Sequence, residues 1–260
     1  MTETVQTQPA GESPRPANTV GALLALAWAG LGLVLAQAST PPGILTFGFI
    51  MLGWVLSVMA HEFSHAAVAY LGGDVTVAQK GYLSFDPRRY GDVGVSVVIP
   101  LLALALGGVA LPGGAVYLRT DLMRSRLWRS AASLAGPAAT LAILVVLASV
   151  LRLLAAAGWD TPLVPGLALL AFLQAMALIL NLLPIPGLDG FNALRPFLPE
   201  AWAPHIRKAE GLAIVLLLAA VFLLPGAGRL LFGAAAGLSM ALGLDPAAIS
   251  EGWRAFHFWR

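Results

Sequence analysis

The chain has 260 residues, 58% hydrophobic and only 11% charged, with mean hydropathy +0.83, a formal net charge of +2 and a pI near 9.3. Soluble domains carry about 25% charged residues, so an ordinary soluble fold is excluded and a polytopic membrane protein is implied. The basic residues lie between apolar runs rather than on one face, which argues against nucleic acid, and with no cysteine neither a disulfide framework nor a Cys-ligated metal is possible.

Residues 1–18 are polar and proline-rich, without the basic start and apolar core of a signal peptide, and are expected to form a disordered tail. A first span is predicted from Val20 to Leu35. After a Pro-Pro-Gly break at 41–43, a second runs from Ile44 to Leu71 and is stopped by Gly72 and Gly73.

The C-terminal half of that second span contains His61-Glu62-Phe63-Ser64-His65, the pattern H-E-x-x-H. Residues four apart share one helix face, so His61 and His65 can point two imidazole nitrogens at one ion, which is half of a zinc site. Glu62 projects beside that pair, where its carboxylate can take the proton of a water at the ion. An acid near the bilayer centre costs about 2–3 kcal/mol, so such a group in an apolar helix marks a functional site by default. Only four histidines and six glutamates exist in the chain, and two of the former flank one of the latter at this spacing.

From Asp74 to Tyr90 the pattern changes. Val75 and Val77 alternate against Thr76, a turn is expected near Lys80-Gly81, and Tyr82, Leu83 and Phe85 follow; this predicts a short membrane-associated β-hairpin, or else an interfacial loop with aromatic anchors. The apolar run Val93 to Leu111 is broken by Pro100, Gly107 and Gly108. Arg119, Arg124, Arg126 and Arg129 precede a span from Ala131 to Leu154, and another runs from Leu163 to Leu183. The latter ends in Asn181-Leu182-Leu183-Pro184-Ile185-Pro186-Gly187-Leu188-Asp189-Gly190.

Asp189 is the acid, other than Glu62, that lies at the end of an apolar span rather than in a tail or polar loop, and the prolines and glycines around it forbid a regular helix. Unwound backbone at membrane depth is tolerated where it is buried in protein or lines a polar cavity, so Asp189 is the candidate third ligand. His205 and His257, set among charges and aromatics, are weaker candidates.

For His61, His65 and Asp189 to meet, the C-terminal ends of their spans must face the same side, which requires an even number of crossings between them. The broken run 93–111 is the natural non-crossing member, a re-entrant or surface-lying segment. That choice gathers most arginines and lysines on the side of the metal, leaving Arg152 and Arg229 on the other; the positive-inside rule then turns the site toward the cytoplasm.

Beyond a polar stretch at 191–210, Leu212 to Leu224 is a further span, Pro225 to Arg229 a break, and Leu230 to Leu244 a short last span. Residues 245–260, with Trp253, Phe256, Phe258 and Trp259, have the composition of an interfacial tail. The expected fold is thus an all-α polytopic membrane protein of about six transmembrane helices, with a re-entrant segment and a short β-hairpin, forming one domain over 19–244.

His61-Glu62-x-x-His65, then Ala135-Gly136-Pro137, then Asn181-x-x-Pro184-x-Pro186-x-Leu188-Asp189-Gly190, in this order over about Met51 to Phe197, resemble the site-2 proteases, zinc metalloproteases that cleave inside membranes. Gly81 to Pro87 is similar to the segment after the metal helix in the compact subgroup of that family, which lacks a PDZ domain. The resemblance implies one zinc per chain held by His61, His65 and Asp189, Glu62 as catalytic base, transmembrane proteins as substrates, and a place in a bacterial cell membrane. Two positions depart from the family pattern. Thr140 stands where the family has an asparagine, which bears on a substrate contact, and Pro112 to Val116 replaces a Trp-Ala-Lys-Pro-like run.

On this reading the edge carrying Val75 and Val77 would receive an unwound substrate as an added strand. Asn181 would either donate to the oxygen that develops charge or cap the helix before Pro184. Two other classes fit some of the same residues. A zinc-binding scaffold without turnover would have no need of Glu62, and a metal or proton transporter would be expected to show a relay of ionisable groups or an inverted repeat.

Overall fold

The computed structural model describes residues 18–40, 42–90, 104 and 116–259. The tail at 1–17 and nearly all of the run 93–111, expected to be re-entrant, lie outside the described residues.

Among the described residues four helices are long and apolar enough to cross a membrane: α1 (Thr19–Gln37), α2 (Gly43–Gly72), α4 (Arg126–Ala156) and α5 (Leu163–Leu182), with a short α3 (Thr76–Gln79) after α2. An apolar segment in lipid must satisfy its backbone internally, which a helix does. Their ends are set locally. Gly73 adopts φ 116°, and its N–H closes α2 on the carbonyls of Ala69 and Tyr70. Ser125 caps α4 by accepting the Trp128 N–H at 3.3 Å.

The central element is α5: 83% of its apolar window is buried, against 39% or less in the other three. Lipid tails are as apolar as leucine, so these helices associate through close packing at small residues rather than through a hydrophobic drive. A Cβ on Gly166 of α5 would lie 3.3 Å from the Phe49 ring of α2, and one on Gly53 of α2 would lie 2.6 Å from Leu170. Rising residue numbers thus meet rising numbers, and α2 and α5 are parallel. In α4, by contrast, Ala132 meets His65 and Thr140 meets His61, so α4 is antiparallel to both.

After α5 the chain turns back at Gly187 (φ 98°) into α6 (Asp189–Leu194), where a Cβ on Gly190 would fall 2.3 Å from the Leu182 carbonyl oxygen. Next come α7 (Ala203–Leu223) and α8 (Pro225–Ala241), bent 88° from one another. Leu224 takes an extended conformation and Pro225 cannot donate back into α7, which breaks the helix there. The described residues therefore offer four helices long and apolar enough to span, or five spans if the bent pair is one, where six were expected. The last helix, α9 (Pro246–Phe256), is capped by Asp245 and packs on the start of α5.

The expected hairpin is not formed, and no strand occurs among the described residues. Asp74 Oδ1 accepts both the Thr76 N–H (3.1 Å) and its hydroxyl (2.6 Å), and these local bonds wind the chain into α3 instead of extending it. Val75 is left exposed, while Val77 is fully buried in a cluster with Met59, Ala66 and Ala69 of α2. Phe85 stacks on Phe63 at 4.9 Å, so the segment lies along α2 as a loop.

Candidate metal centre

His61 and His65 lie one turn apart on α2, buried at 8% and 5% exposure, their ring centroids 4.7 Å apart. Their Nε2 atoms are 3.0 Å from each other, and Asp189 Oδ2 is 3.1 Å from the first and 3.4 Å from the second. A tetrahedral zinc with bonds of about 2.0–2.1 Å spaces its donors about 3.3 Å apart, so three sides of such a tetrahedron are present. Two neutral imidazoles and a carboxylate are also a donor set that zinc prefers. Among the described residues this is the group that can hold a metal ion in this way.

Each ligand is placed by a different device. The two histidines are set by helical spacing, and their rings are held from behind: His65 Nδ1 lies 2.7 Å from the Ala132 carbonyl, and His61 Nδ1 lies 2.9 Å from Thr140 Oγ1. A carbonyl only accepts, so His65 Nδ1 carries the proton and Nε2 keeps its lone pair for a metal. Asp189 is delivered by the Pro184 to Gly187 turn, which brings the chain back from the end of α5.

Glu62 is 4% exposed, and its Oε2 accepts the Val116 N–H at 3.2 Å. That bond ties the metal helix to the chain ahead of α4, where Asp74 Oδ2 also accepts the Arg119 N–H (2.7 Å) and Lys80 donates to the Tyr117 carbonyl (2.8 Å).

The structure thus brings together His61, His65 and Asp189, with Thr140 directly against His61. Asn181 is buried on the last turn of α5, and its side chain makes no hydrogen bond with the described residues. Val75 and Val77 do not form an edge. His205 is exposed on α7, and His257 sits among Trp253 and Trp259, so neither joins the ligand group.

Sequence reasoning missed the part played by Gly136. A Cβ there would lie 2.2 Å from His65 Nε2 and 2.5 Å from His61 Nε2, in the space where the ligand atoms converge. The Gly-Pro pair in an apolar helix was the available signal, but it does not say what the glycine faces.

No family model matches the chain, and no solved structure matches it. Among curated proteins it is 40% identical over 255 residues to "Putative zinc metalloprotease Rip2" of Mycobacterium tuberculosis, covering 95% of this chain and 96% of that protein. The Mycolicibacterium smegmatis protein of the same name is 39% identical over 262 residues, 97% of each chain. "Putative zinc metalloprotease YwhC" of Bacillus subtilis is 27% identical over 176 residues, 65% of this chain and 78% of that one. With near full-length identity to these proteins and a His-His-Asp group set between apolar helices, the chain belongs to the site-2 protease family of zinc metalloproteases.

Proposed function

We propose that this integral membrane protein is an intramembrane zinc metalloprotease that hydrolyses peptide bonds within or near transmembrane helices of membrane-protein substrates. His61, His65 and Asp189 hold one zinc, and Glu62 is the catalytic base. The observation that carries the assignment is the convergence of three donor atoms at 3.0–3.4 Å spacing, one residue away from a buried glutamate, inside an apolar helix bundle.

Zinc, when bound in such a site, supplies a Lewis acid that lowers the pKa of a water to about 7 and polarises the scissile carbonyl. The chain's own residues do the rest. Glu62 accepts the proton of the attacking water and passes it to the nitrogen of the leaving amine. The Val116 N–H steadies that carboxylate through one oxygen. Asn181, buried on the last turn of α5, would serve as a donor to the oxygen that develops charge.

The substrate helix must unwind locally, because its carbonyls are otherwise committed to backbone hydrogen bonds. Arg88, Arg89, Arg119, Arg124, Arg126 and Arg129 flank the metal end of α2 and α4, and Arg152 meets Gly243 at the other end. This asymmetry supports an active site toward the cytoplasm, and the bacterial relatives support a bacterial cell membrane.

Chelation tests the proposal. Purified protein in detergent should cleave a single-span substrate, lose cleavage in a strong chelator, and regain it with about one equivalent of zinc per chain. Cleavage that persists in the metal-free protein would contradict the proposal.

A further inference from the structure

We propose that Thr140 is a positioning residue that works through the metal ligand His61 and not on the substrate. This rests on the zinc site proposed above. The Thr140 hydroxyl oxygen is 2.9 Å from His61 Nδ1, and both side chains are buried. Nδ1 and Nε2 lie on opposite sides of an imidazole, so this contact is made behind the ring, away from the point where Nε2 meets Asp189 and His65. With Nε2 bound to metal, Nδ1 carries the proton and donates to the Thr140 hydroxyl, which holds the rotation of the ring.

One stripe of α4 receives both histidines. Ala132, Gly136 and Thr140 follow each other at four-residue intervals and so share a face. The first accepts from His65 through its backbone, the second leaves the space in which the nitrogens converge, and the third accepts from His61 through its side chain. The His65 partner is a carbonyl that no substitution removes. The His61 partner is chosen by the residue at 140, so that position sets how well one of the three ligands is held.

The test compares wild type with Thr140→Val, which keeps the shape without the hydroxyl, and Thr140→Ser, which keeps the hydroxyl. Zinc affinity is read by competition with a chromophoric chelator, ligand geometry by the visible spectrum of the cobalt-substituted protein, and KM at saturating zinc. The valine variant should bind zinc about 10–100-fold more weakly, with an altered cobalt spectrum and an unchanged KM, and serine should restore both metal readouts. Wild-type affinity and spectrum in the valine variant would overturn the proposal, as would a raised KM with metal binding intact. So would a serine variant as weak as valine, since the methyl group would then be what matters. If the valine variant does not fold, Thr140→Ala beside Thr140→Ser reads the same difference, and equal zinc affinity in the two overturns it. A wild-type protein that binds no zinc would remove the metal site itself, a distinct failure visible before any variant is made.

Discussion

Gly136 and Gly252 both sit where a methyl group has no room, yet they do different work at opposite ends of one bundle. At Gly252 the obstacle is the framework: a Cβ would fall 2.1 Å from the Pro165 carbonyl oxygen and 2.9 Å from Leu169 Cβ, because α9 lies directly on the first turns of α5. At Gly136 the obstacle is chemistry: the nearest atoms are the Nε2 atoms of His65 and His61, at 2.2 and 2.5 Å. Between these points α5 runs from Leu163 to Leu182, and the chain then returns to bring Asp189 to the histidines. One end of the bundle is closed by backbone packing, and the other is held open by a missing side chain so that three ligand atoms can converge. The same residue type therefore serves stability at one end and metal binding at the other.

Substitutions can break this contrast. Gly136→Ala carries the largest expected effect on metal binding. Alanine favours a helix over glycine by about 1 kcal/mol, so α4 itself should not suffer. The new methyl group would occupy the space of the ligand nitrogens, and zinc affinity should fall by more than the about 100-fold that losing a ligand's hydrogen-bond partner costs. A zinc titration beside thermal unfolding of the zinc-free protein separates the two consequences.

Gly252→Ala should do the reverse. Forcing a methyl against the start of α5 should cost about 1–3 kcal/mol and lower the melting temperature. Zinc stoichiometry should stay near that of wild type. Loss of zinc in the Gly252 variant with zinc retained in the Gly136 variant would show that the two ends had been assigned the wrong way round.

The same contrast explains which parts were legible in the sequence. His61, Glu62 and His65 could be read directly, because four-residue spacing on a helix dictates where side chains point. Asp189 could be read because a carboxylate beside Pro184, Pro186, Gly187 and Gly190 has few reasons to lie at the end of an apolar span. Gly136 could not, since what makes it necessary is a neighbour on another helix, 71 residues away at His65 and 75 at His61 (136 − 65 and 136 − 61). Thr140 was visible as a departure from the family asparagine, but not as the partner of His61, because that contact depends on the register of α4 against α2.

The hairpin failed for a local reason. Three alternating residues are a weak strand signal, and the bonds from Asp74 to Thr76, together with the burial of Val77 against α2, decided the outcome. The break at Pro225 was legible, but the 88° bend it produces was not, because the angle depends on how α7 and α8 pack and not on the breaker alone.

The central claim is that Glu62 is the base beside a zinc held by His61, His65 and Asp189. The most direct test is cleavage of a single-span substrate by wild type and Glu62→Gln, with zinc quantified in both samples. Glutamine keeps the size of the side chain and removes its capacity to accept a proton as a carboxylate does. The account predicts about one zinc per chain in each protein and cleavage by wild type alone. Cleavage at a comparable rate by the glutamine variant, or a wild-type protein that cuts without zinc, would contradict it.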